Sequence, residues 1–194
     1  MSTSSPSSTG RITIPRAEDL DSEQTNIYEA IRGGKRGEVP DLFMALMHNP
    51  KVADRTQALG VLLRYDTNLE PRLSELAILV VARHWACPYE WHYHEPEALK
   101  GGLDEDIVEA IRTGARPEFT HEDENAVHAY ARELLTNRRV SDETYQQALA
   151  LFGERGVVEL TSLIGYYSMI AMTLTEHHVP LPGGAAPRIP DTPE

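Results

Sequence analysis

Scarcity narrows the reading before any motif does. The 194-residue chain has a single cysteine, so no disulfide can form within it and a dithiol cycle inside one chain is excluded. Basic residues are also few: 18 Lys and Arg stand against 30 Asp and Glu, a formal net charge of −12. An acidic surface disfavours nucleic acid and anionic membrane as partners, because both require basic patches. No apolar run approaches the roughly 20 residues of a membrane span. The opening MSTSSPSSTG has neither the basic nor the apolar stretch of a signal peptide. A soluble cytoplasmic protein is the simplest expectation. Alternating polar and apolar residues are absent too, so an all-α protein is expected.

At this length, one domain with a sizeable core is the default. Residues 1–16 are rich in Ser, Thr, Pro and Gly and read as a disordered or surface-draped segment. The helical domain is expected over 17–182, with an extended tail at 183–194. Helix start and stop signals recur between these limits: Asp21 or Ser22, Pro50, Pro71, Pro88, Asp104 and Ser141 open helices, and Gly33, Gly101, Gly114 and Gly153 close them. In the helix near Lys51 to Tyr65, Val52, Leu59, Leu62 and Leu63 form the expected buried stripe. The last helix, near Glu154 to His177, is apolar on several sides and must be covered by its own domain or by another subunit. His121 and His128 fall on a polar-faced helix and read as solvated.

The chain is densest in chemistry at residues 71–103, PRLSELAILVVARHWACPYEWHYHEPEALKGGL. An apolar helix from Leu73 to Trp85 breaks at Cys87-Pro88, and a second helix follows, short enough to fold back as an antiparallel partner. Cys87, Glu90 and His94 have i, i+3, i+7 spacing, which places them on one helical face. A thiol at a helix start has its pKa lowered by the dipole. Glu90 and His94 can form an acid/base pair in which the carboxylate fixes the imidazole tautomer. The plainer alternative is a solvated surface pair beside a small buried thiol. Glu75, inside an apolar helix, either sits in water at the first turn or is partly buried with a partner. The histidine and carboxylate spacing matches no specific metal signature, and none is expected.

Glu75, eleven intervening residues, then Cys87-x-x-Glu90-x-x-x-His94 resembles the carboxymuconolactone decarboxylase and alkylhydroperoxidase D-like superfamily. The flanking RLSELAILVVARHWACPYEWHYHEPEALKGGLDEDIVEAI and the C-terminal VVELTSLIGYYSMIAMTLTEHHVPL carry the resemblance further, over about residues 40–182. It implies an alkylhydroperoxidase D-like helical fold with a central antiparallel helix pair, assembling as a trimer or hexamer. The peroxidase branch has a second cysteine where this chain has Glu90, and the decarboxylase branch has Glu-x-x-x-His there. That implies a cofactor-independent lyase acting on a carboxylated lactone or related ring in aromatic degradation. In this reading His94 donates or relays a proton, Glu90 orients it, Glu75 extends the relay and Cys87 lines the pocket. Arg72 or Arg83 binds a substrate carboxylate, and His84, Trp85 and Trp91 shape the pocket. The alternatives are a thiol-dependent peroxidase using Cys87 and a non-catalytic ligand-binding oligomer.

Overall fold

The computed structural model describes residues 10–190. Over them run eight α-helices: α1 (Ser22–Arg32), α2 (Asp41–Leu46), α3 (Pro50–Tyr65), α4 (Pro71–His84), α5 (Pro88–Lys100), α6 (Glu105–Thr113), α7 (Glu122–Asn137) and α8 (Asp142–Glu176). The described residues contain no strand, so the fold is all-α as expected. Local chemistry sets the helix starts. Asp21 and Gln24 form a reciprocal capping box, and the Asn49, Asp104 and Ser141 side chains each accept a first-turn amide. Pro50, Pro71 and Pro88 occupy first-turn positions, where no N–H is needed.

α4 is the hub. It packs against α5, α6, α7 and α8, and every residue from Leu73 to Arg83 is buried. Its link to α5 is very short. Ala86 adopts a left-handed conformation at φ 47°, and the Cys87 amide reaches back to the Ala82 carbonyl at 2.8 Å. This is a Schellman closure with alanine in glycine's usual place. It turns the chain so that α5 folds back along α4 and forms the expected central pair. α5 continues through Pro96 to Lys100.

Several expectations need correcting. On α3, Val52, Leu59 and Leu62 are exposed, and the inner face is Ala53, Thr56, Gly60 and Leu63. Both sets have helical spacing, so periodicity alone did not choose between them. Packing selects the smaller residues because they let α3 approach α8 closely. α8 exceeds the expected lengths, being long and apolar enough by composition to cross a membrane. Half of that apolar window is buried inside the protein, however, and it lies against α4 and α7 as a core helix. Gly153 interrupts α8 at φ 66°, ψ 177°, where the sequence signal placed a helix end.

The two ends are tied down where they are described. Arg11 N–H donates to the His177 carbonyl at 3.0 Å, and residues 183–190 are not loosely held. Ile189 is buried, and Arg188 reaches the buried carboxylate of Glu95. The remaining parts of the two expected terminal segments, 1–9 and 191–194, lie outside the described residues.

Candidate active site

The site is built where α2, α3, α5 and α8 meet, around a cavity of about 60 Å³. Its polar lining comes from Arg36, Arg64, Glu90, His94, Tyr166 and Tyr167, set against apolar groups that include Phe43 and Ile170. Two acidic side chains and one histidine are brought together beside it. His94 Nδ1 lies 2.6 Å from Glu75 Oε2, and both residues are buried. A carboxylate at that distance accepts the Nδ1 proton, leaving Nε2 as the nitrogen able to exchange one. The other Glu75 oxygen lies 3.8 Å from the Arg64 guanidinium. The edge of one aromatic ring meets the face of the other where His94 packs on Tyr167, with centroids 5.0 Å apart.

Glu90 stands one turn before His94 and is buried, with neither carboxyl oxygen hydrogen-bonded. Burial pushes its pKa well above the ordinary carboxylate range, which favours the neutral acid. Tyr166 donates to the Thr56 carbonyl at 3.1 Å, and burial pushes its phenol up to about 12. Gly60 leaves space for this hydroxyl. A Cβ there would overlap the Tyr166 oxygen and the Arg36 guanidinium.

The carboxylate that holds His94 is therefore Glu75, nineteen residues upstream, whereas the sequence reading assigned that place to Glu90. Cys87 also departs from expectation. It is the N-cap of α5 with extended backbone, φ −104° and ψ 90°, so helical spacing does not carry it onto the face shared by Glu90 and His94. It is buried and does not line the cavity. Burial, then the nearby Glu90, push its thiol pKa well above the usual value, the opposite of the expected dipole effect.

The five residues expected to bind substrate lie away from this cavity. Arg72 pairs with Asp123 (Nη2–Oδ2 2.7 Å) and Glu124 (Nη1–Oε1 2.6 Å), tying the start of α4 to the start of α7. Arg83 lines a different cavity. His84 sits about 180° around α4 from Glu75 and lines a separate groove with Trp85. Trp91 is a fully buried core residue. Sequence reasoning missed Arg36, Arg64, Tyr166 and Tyr167. The Tyr166-Tyr167 doublet was a usable signal, since two phenols in an apolar helix each require a polar neighbour.

Residues 50–133 match the sequence profile of the Carboxymuconolactone decarboxylase family. The fold recurs in an uncharacterized peroxidase-related protein with an alkylhydroperoxidase AhpD core from Ralstonia eutropha JMP134. The two share 13% identity with a TM-score of 0.74, over 93% of this chain and 97% of that one. Over residues 50–133 the chain is similar to the Carboxymuconolactone decarboxylase family, and its all-α fold is that of the alkylhydroperoxidase AhpD-like structures. A second member of this fold is an uncharacterized peroxidase-related protein from Silicibacter sp. TM1040, at 16% identity and TM-score 0.72 over 91% and 94% of the two chains. A third is the debrominase Bmp8, at 14% identity and TM-score 0.71 over 89% and 92%. At such identities these structures share the fold with this chain and carry no activity across to it. No curated protein matches the sequence significantly.

Proposed function

We propose that the protein is a cofactor-independent lyase of the carboxymuconolactone decarboxylase type, acting by proton transfer on a small carboxylated lactone or related ring. The observation that carries this reading is the buried Glu75–His94 hydrogen bond beside Glu90, whose carboxyl burial pushes towards the neutral acid, in a cavity that no thiol lines. In the proposed step the carboxylate–ring C–C bond breaks and carbon dioxide leaves. The electron pair passes into the conjugated lactone carbonyl as a dienolate, and an acid protonates a ring carbon. Glu90 supplies that proton as a neutral carboxylic acid. His94, held by Glu75, returns a proton to the site through Nε2. Arg36 and Arg64 are the cations available to hold the substrate carboxylate and the developing enolate charge.

The cavity of about 60 Å³ falls well short of the roughly 300 Å³ at which small-molecule pockets begin. Substrate entry in this reading therefore displaces part of the wall, and the six-residue α2 is its shortest element. A thiol peroxidase using Cys87 has no comparable support, because peroxide chemistry needs an accessible thiolate. The test is carbon dioxide release from a carboxylated muconolactone. Glu90→Gln and Glu75→Gln are each expected to slow turnover by about 10²-fold or more. Full turnover in either variant would sink the proposed proton path.

A further inference from the structure

The two adjacent tyrosines of α8 line the active-site cavity on different terms. Tyr166 donates its hydroxyl hydrogen to the Thr56 carbonyl at 3.1 Å. Tyr167 is as deeply buried, yet its hydroxyl makes no hydrogen bond among the described residues. Burying a phenol without a partner is unfavourable, and such groups in native proteins call for a functional explanation. The hydroxyl hydrogen of Tyr167 is left for an acceptor inside the cavity.

The ring is held on two sides. It packs nearly perpendicular to His94 and to Tyr166, with centroids 5.0 Å and 5.2 Å away. That clamp fixes the phenol before any substrate arrives, as a preorganised donor requires. Arg64 and Glu75 lie close enough to act on it electrostatically. Burial, above all, pushes its pKa well above the usual value, against the opposing charge of Arg64. The group is therefore a neutral donor that keeps its proton.

We propose that Tyr167 is the hydrogen-bond donor to the lactone carbonyl oxygen, where the dienolate charge collects as carbon dioxide leaves. This role rests on the lyase reading and leaves the substrate carboxylate to Arg36 and Arg64, both only half-buried. As the C–C bond breaks, its electron pair moves to the carbonyl oxygen, and the phenol hydrogen bond strengthens with the growing charge. The phenol O–H bond does not break. A donor that keeps its proton leaves the dienolate charged and therefore basic at carbon. The electron pair then returns to a ring carbon, which takes the proton from Glu90.

The test compares the parent with Tyr167→Phe in carbon dioxide release from a carboxylated muconolactone. Both are also titrated calorimetrically with tetronic acid, a lactone that carries an enolate oxygen at neutral pH. The variant is expected to lose about 10²-fold or more in kcat, with KM little changed. It is expected to bind tetronate about tenfold or more weakly, as loss of a hydrogen bond to a charged group requires. Its urea-unfolding midpoint is expected not to fall, since no protein partner is lost. Full kcat in Tyr167→Phe overturns the role and leaves the lyase reading standing. No release by the parent removes the lyase reading instead, and the tetronate titration then decides on the phenol. No binding, or equal binding by parent and variant, overturns it. A lowered midpoint overturns it too, because the hydroxyl would then be bonded within the protein.

Discussion

Among the described residues neither Glu90 carboxyl oxygen has a hydrogen-bond partner, and the neutral form that burial favours has a consequence for stability. In the unfolded chain its carboxyl ionises in the ordinary range, whereas in the folded chain burial delays ionisation to higher pH. Between those limits the folded state binds more protons than the unfolded state, so this residue's contribution to stability declines as pH rises. Urea unfolding at a series of pH values is expected to show the parent losing stability relative to Glu90→Gln above the ordinary carboxylate range. Parallel curves for the two proteins would mean that Glu90 is hydrated or paired. His128 acts in the opposite direction. Its folded pKa is pushed below the unfolded value, so its contribution is present at neutral pH and is lost as pH falls from about 6.5 towards about 4.

Gly153 and the α4–α5 link set the geometry at the scale of elements. Gly153 adopts φ 66°, ψ 177° with nothing within 4 Å of a built Cβ, so an added methyl meets only backbone strain. Gly153→Ala is expected to lower unfolding free energy by about 1–3 kcal/mol, read by denaturant titration. An unchanged midpoint would show that the break is dispensable. Most elements were legible from caps, prolines and the 3.6-residue period, and so was the pairing of α4 with α5. Two things were not. The buried face of α3 was hidden because Val52, Leu59 and Leu62 keep the same spacing as the smaller residues that pack. Glu75 could not be assigned to His94 because contact between two helices depends on how they rotate against each other. Spacing within α5 pointed to Glu90 instead, and it misplaced Cys87 by treating a cap residue as helical.

For the whole molecule, the exposed apolar residues matter most. Val158 is 65% exposed and Leu62 48%, with Leu59, Met169 and Met172 also in solvent on the packed pair α3 and α8. A homotrimer or hexamer, as the family resemblance implies, would cover such faces. Sedimentation is therefore expected to give a multiple of 21.7 kDa, and Val158→Glu to reduce it; a single-chain mass for the parent would remove this assembly. The acidic surface and the buried acid/base site also fit a small-molecule enzyme better than a nucleic-acid or membrane partner.

The central claim is that proton transfer through His94, rather than thiol chemistry at Cys87, carries the activity. The most direct measurement compares carbon dioxide release from a carboxylated muconolactone by the parent, His94→Gln and Cys87→Ala. The account predicts a loss of about 10²-fold or more for His94→Gln and retention of most of the rate in Cys87→Ala. Loss of activity in Cys87→Ala with His94→Gln unimpaired, or no carbon dioxide release by the parent, would contradict it.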